Sequence, residues 1–112
     1  MKRYYLDPIT THQDLSSGDL SFTTSIGKDF RLLSVEVHAS VAISETIKVV
    51  RDSGAGANYD TELASKAMSS EQDYVFRPSD NCVFLRGDEV KVTCTNSGGT
   101  GIVYVAIYVE EI

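Results

Sequence analysis

Two histidines, two cysteines and sixteen carboxylates are the groups in this chain with the means to do chemistry. Nucleophilic catalysis needs a base within reach of a hydroxyl or thiol, and a third group to orient that base. His12 falls in a polar stretch, and His38 falls on the outward phase of a strand pattern beside Glu36. No Gly-x-Ser-x-Gly elbow occurs, so both imidazoles read as surface groups. Two carboxylates across a cleft can hydrolyse a glycoside. With sixteen acids in 112 residues, however, such pairs arise by density alone. There is no Cys-x-x-Cys, and two histidines make no zinc ligand set. Cys82 and Cys94 read as reduced, buried thiols that pack as small hydrophobes; a disulfide between adjacent strands is the alternative. No catalytic site, metal or cofactor is therefore expected.

Three further motifs have a plain structural reading. Gly54-Ala55-Gly56-Ala57 lacks the βαβ surroundings of a dinucleotide fingerprint. Asp52, Asn58 and Asp60 flank that loop in a way that would at most hold calcium weakly. Arg86-Gly87-Asp88 matches an integrin-binding tripeptide. It reads better as a turn in which Gly87 supplies the tight bend and Asp88 bonds the turn backbone.

The elements that must position these groups are strands. Val, Ile and Thr make up 28 of 112 residues, while Leu and Ala number seven each. That mixture suits half-buried pleated surfaces. Residues 33–41 alternate with period two: Leu33, Val35, Val37, Ala39 and Val41 inward, Ser34, Glu36, His38 and Ser40 outward. Further strands are expected over 19–24, 46–52, 73–77, 82–85, 89–95 and 102–110. Residues 9–18 read as a polar turn region. Residues 59–68 fit strand then turn better than a short helix. The expected core includes Leu33, Val35, Val37, Val90, Val92, Cys94, Val103, Val105, Ile107 and Val109.

Short strands at regular spacing with Gly, Ser and Asn turns predict one all-β domain over 1–112, an antiparallel β-sandwich of jelly-roll or Greek-key topology. The long 53–58 loop points the same way, as a non-local connection. Helix is expected to be limited to a turn or two.

Two places invite contact with a partner. The last strand is apolar on both phases, so Tyr104 and Tyr108 are candidates for a subunit interface. The alternative is a cover of loop or arm from the same chain. Residues 1–8 form a short N-terminal arm in which Lys2, Arg3, Tyr4, Tyr5 and Leu6 combine positive charge with aromatic surface. The alternative is an edge strand on the chain's own sandwich. The net charge of −6 disfavours nucleic acid. No apolar run reaches the ~18–20 residues of a membrane helix, and the N-terminus has no secretory h-region, so an unprocessed chain is expected.

Several segments carry a resemblance. They are Lys28-Asp29-Phe30-Arg31-Leu32-Leu33-Ser34-Val35-Glu36-Val37-His38, Gly56-Ala57-Asn58-Tyr59-Asp60-Thr61, Leu85-Arg86-Gly87-Asp88-Glu89-Val90-Lys91-Val92-Thr93 and Thr95-Asn96-Ser97-Gly98-Gly99. Over most of its length the chain resembles the small β-sandwich virion proteins of tailed bacteriophages. The run into Gly-Asp and then an alternating strand is also common in other jelly-rolls, including tumour necrosis factor-like domains. The virion resemblance implies a non-enzymatic capsid cement or decoration protein. Such a protein would assemble in the host cytoplasm, reside in the virion, form homo-oligomers and bind a major capsid protein or another virion protein. The alternatives are an adaptor or knob at a vertex, neck or tail, and a free carbohydrate-binding sandwich.

Overall fold

The computed structural model describes residues 7–79 and 81–112, together with the backbone of Tyr4–Tyr5. The strands are β1 (Tyr4–Tyr5), β2 (Ile9–Asp14), β3 (Leu20–Ser25), β4 (Phe30–Ile43), β5 (Thr46–Asp52), β6 (Thr61–Ala67), β7 (Glu71–Phe76), β8 (Val83–Phe84), β9 (Glu89–Cys94) and β10 (Ile102–Glu111). The only helical piece among the described residues is a 3-10 turn at Ala57–Tyr59. One sheet runs β2-β10-β4-β7, with β1 beside β2 along β10 and β8 beside β7 along β4; the other runs β3-β9-β5-β6. Every pairing is antiparallel. Successive strands cross repeatedly from one sheet to the other, which makes an eight-stranded jelly-roll with two short extra strands. The all-β sandwich expected from the sequence is the observed fold.

The two inner faces bury one apolar core. Val35, Val37, Val90, Val92, Cys94, Val103, Val105, Ile107 and Val109 all point into it, joined by Phe30, Leu32, Phe84, Ile47 and Val49. Leu33, expected in this set, is only half-buried. The cause is a bulge: Leu32 pairs with Val109 and Ser34 with Tyr108, so Leu33 is an extra residue opposite no partner. The bulge shifts the phase, and Phe30 and Leu32 point inward before it, Val35, Val37 and Ala39 after it. Val41 is also not in the core, at 44% exposure. Pairing of β4 with β10 stops at Ala39, and β4 loses register with β7 between His38↔Asp73 and Ile43↔Glu71; Val41 lies in that irregular stretch, and Ile43 returns to the core.

Residues 9–18 contain a strand where a turn region is expected. Thr10 and His12 are exposed and Ile9 and Thr11 half-buried, because β2 borders its sheet along β10. The turn that follows buries Leu15 completely. Residues 61–67 form a strand, as the favoured reading has it, but Tyr59 belongs to the 3-10 turn and is 67% exposed. The 53–58 loop is not a non-local connection: it joins β5 to its immediate neighbour β6. There Gly54 lies so close to Gly87 that a Cβ would sit 2.8 Å from the Gly87 carbonyl oxygen. Asp88 clamps this contact, accepting from Gly54 N–H at 3.0 Å and Leu85 N–H at 3.0 Å. The turn reading of Arg86-Gly87-Asp88 is what the structure contains.

Glu45, in the short link between β4 and β5, is 4% exposed. Its carboxylate accepts Thr95 Oγ1 at 2.7 Å, Ser97 N–H and Ser97 Oγ at 2.9 Å each, and Gly98 N–H at 2.6 Å. One buried acid thus organises the turn from β9 to β10. Burial by itself would push this carboxyl up. The hydrogen bonds from Gly98, Thr95 and Ser97 outweigh burial and hold it below the usual value of 4.5. Nothing in the sequence pattern singles out this residue.

Two outcomes are expected. Val105→Ala, at a site 2% exposed, should lower unfolding free energy by roughly 1–3 kcal/mol in urea titrations through lost transfer energy and a small cavity. Glu45 is ionised more readily in the folded than in the unfolded chain. Its contribution is therefore full above pH 4.5 and is lost as pH falls through the lower folded value. Glu45→Gln should cost roughly 1–3 kcal/mol at neutral pH, because its NH2 group cannot accept from the donors that one of the two carboxylate oxygens serves. The variant should also show a flatter loss of stability below pH 4.5 than the parent, measured by denaturant midpoints across pH.

Candidate functional site: the outer face of the six-stranded sheet

Strand β10 is flanked on both sides, by β1 and β2 and by β4. Its inward phase is core, so its outward phase fixes what the outer face of the sheet presents. Tyr104 lies opposite His12 of β2 and His38 of β4, and His38 lies opposite Asp73 of β7. This makes one row across the sheet: His12, Tyr104, His38, Asp73. The next row is Thr10, Ala106, Glu36 and Val75. Opposed residues in an antiparallel sheet share a face, so both rows look outward.

The small side chain of Ala106 sits among larger ones, and the surface dips there. The result is a groove of about 400 Å³ whose lining includes Thr10, Glu36, His38, Asp73, Val75 and Tyr104. Tyr104 is 45% and Val75 42% exposed. The ring centroids of His12 and Tyr104 are 5.8 Å apart. His38 Nδ1 and Asp73 Oδ1 are 2.6 Å apart. Among the described residues no hydroxyl or thiol is hydrogen-bonded to either imidazole, and no group of three or more His, Cys, Asp or Glu is placed to hold a metal ion. The groove's lining is mostly apolar, the polar part is the His38 imidazole with the Glu36 and Asp73 carboxylates and Thr10, and one aromatic, Tyr104, stands at its edge. That combination can grip a protein side chain or loop by burial, with polar groups to orient it.

Of the residues proposed from sequence, Tyr104 is the outer-face aromatic of the groove. Tyr108 stands on the same phase of β10, opposite Ser34, and is half-buried. Tyr4 and Tyr5 pair by their backbones with Glu111 and Glu110 at the far end of β10. Lys2, Arg3 and Leu6 lie outside the described residues. His12, His38, Asp73 and Val75 were read singly or as ordinary strand residues. Period two places His38 outward, but His12 reads as turn, and only the cross-strand register brings the four together.

Two other concavities exist. One, of about 270 Å³, is lined by Leu63, Phe76, Pro78, Ser79, Asn81 and Cys82 where the two sheets part. The other, of about 340 Å³, lies over the Glu45 turn. Both cysteines are free thiols, but only Cys94 is buried; Cys82, expected to be buried too, is half-buried at the margin of the core. Burial pushes the Cys94 thiol up to about 11, with the Glu45 and Asp19 charges adding to it. Burial also raises Cys82, against the pull of Arg51. Neither is an activated nucleophile. No helix among the described residues is long and apolar enough to cross a membrane.

No protein-family model matches the chain. No curated protein matches it either. Among solved structures, the chain is similar in outline to the NLP core of Drosophila, whose crystal structure bears on pentamer formation and histone binding; the TM-score is 0.48 and the identity 17%, over 93% of this chain and 98% of that one.

Proposed function

We propose that this chain is a non-enzymatic structural protein that docks on a protein assembly through the outer face of its six-stranded sheet. The observation that carries the reading is the groove around Ala106 with Tyr104 exposed at its edge. Aromatic residues beside a shallow apolar depression are the usual anchors of protein interfaces. The specific role we propose is cement or decoration of a tailed-phage head, with the major capsid protein as partner and the virion as location. The sequence resemblance supports that role. The net charge of −6 suits a position outside the shell, away from packaged DNA. A cement protein works by binding the assembled shell and not the free subunit, so it stabilises the particle by mass action.

Two measurements test this. Tyr104→Ala removes an exposed side chain, so its unfolding free energy should stay within about 0.5 kcal/mol of the parent, while binding to the assembly falls at least tenfold. Unchanged binding would remove the outer face from the interface. In purified virions the chain should be present in fixed ratio to the capsid subunit, and particles lacking it should lose infectivity at lower temperature with an unchanged lattice. A copy number of a dozen or fewer per particle would favour an adaptor or knob at a vertex, neck or tail. Binding to glycans in the absence of any particle would favour a carbohydrate-binding sandwich.

A further inference from the structure

The two flanks of the sandwich are built differently. On one flank the sheets end in β6 and β7. These strands carry Glu62, Lys66, Glu71 and Asp73, and Lys66 Nζ reaches Glu71 Oε1 across the gap at 3.4 Å. Charges on an edge strand are the common device against unwanted strand pairing.

The other flank ends in β2 and β3, and β3 has none of these devices. Its sequence is Leu20-Ser21-Phe22-Thr23-Thr24-Ser25, six residues with no charge, no proline and no glycine. Its pairing with β9 is in unbroken register from Leu20↔Cys94 to Ser25↔Glu89, so no bulge turns the edge away. Among the described residues, no further hydrogen bond is made by the backbone or side chain of residues 20–25. About half of the backbone N–H and C=O groups of this strand therefore face away from β9, with no partner among the described residues. Two exposed carboxylates adjoin this edge without lying on it: Asp19 precedes Leu20, and Asp14 of β2 accepts from Ser16 N–H at 3.0 Å and Ser16 Oγ at 2.7 Å.

We infer that β3 is a pairing edge for β3 of a second copy of this chain, extending the β3-β9-β5-β6 sheet across a two-fold axis. Charge selects this occupant. The chain carries −6, and copies meeting through an acidic face repel; this edge brings no charge against its own image. Geometry permits it as well. An axis through Thr23 sets Thr23 opposite the partner's Thr23, Ser21 opposite the partner's Ser25, and Phe22 opposite the partner's Thr24. Each pair shares a face, as antiparallel pairing requires. The half-buried Phe22, already packed against the core, would be covered. This contact is separate from the groove around Ala106, which opens on the outer face of the other sheet.

Sedimentation equilibrium of the full chain, from micromolar to millimolar, tests the inference. The parent should rise from 12.3 kDa to twice that mass. Thr23→Lys sets two ammonium groups face to face and should stay at the single-chain mass with an unchanged circular dichroism spectrum. Ser65→Lys, exposed on the opposite flank, and Tyr104→Ala should both dimerise as the parent does. Hydrogen exchange of the parent supplies a readout that needs no variant: amides within 20–25 should gain protection as concentration rises. A parent that stays single over the whole range would overturn the inference, even if β3 became protected on binding a different protein. So would a Thr23→Lys dimer as tight as the parent's, a dimer lost in Tyr104→Ala, or a parent dimer with no added protection in β3.

Discussion

The register between β10 and β4 is the constraint on which the rest of this molecule depends. In a sheet with side-chain period two, a slip of one residue exchanges every inward side chain for an outward one. Val103, Val105 and Ile107 are inward because they pair with Ala39, Val37 and Val35. The same register sets Tyr104 beside His38 and Ala106 beside Glu36. Core and candidate docking face are therefore two sides of one alignment. The extra residue at Leu33 lets that alignment hold along the strand while the ends of β4 keep Phe30 and Leu32 in the core.

Buried polar groups then choose how the loops close. Glu45 has no basic partner among its hydrogen bonds; its donors are hydroxyls and backbone N–H groups of one turn. A buried carboxylate is costly unless its lone pairs are filled. Here they are filled only if residues 95–98 take one path. A Cβ at Gly98 would sit 3.0 Å from Glu45 Oε2, which is why the turn backbone comes so near. At the other end of β10, Arg31 and the fully buried Glu110 form an ion pair. Between the sheets, the Arg51 guanidinium lies 4.5 Å from the centre of the Phe84 ring and donates to the Val83 carbonyl at 3.0 Å. These contacts bring β8 under the edge of β5, joining the two layers where strand pairing cannot.

A jelly-roll has four edges, and this one treats them unequally. An ion pair crosses the β6/β7 side. The β1 and β2 strands share the margin of β10. β2 and β3 are both six residues in unbroken register, but β2 carries Asp14 and β3 carries no charge. Together with the groove on the opposite sheet, this gives the molecule two candidate contact surfaces that face different ways. A protein that must touch both its own copies and a larger assembly has use for such an arrangement.

Composition and alternation determined the class of fold. A chain with one residue in four β-branched, and period two in Val35, Val37, Val90, Val92, Val103, Val105 and Ile107, has little choice but to pack pleated faces. Tyr104 was legible as an outward aromatic for the same reason. The sequence did not show Leu33 as a bulge, because a strand with one extra residue reads as unbroken alternation from either end. It did not show β2, whose Thr, His, Gln and Asp look like a turn until β10 supplies a partner. It did not reveal Glu45, since an acid among sixteen acids carries no local mark of burial. Nor could it assemble His12, Tyr104, His38 and Asp73, which come from four strands and meet only through register. Alternation is a property of one strand and is written locally. Register, bulges and buried polar partners belong to pairs of strands distant in the chain, and only the folded structure decides them.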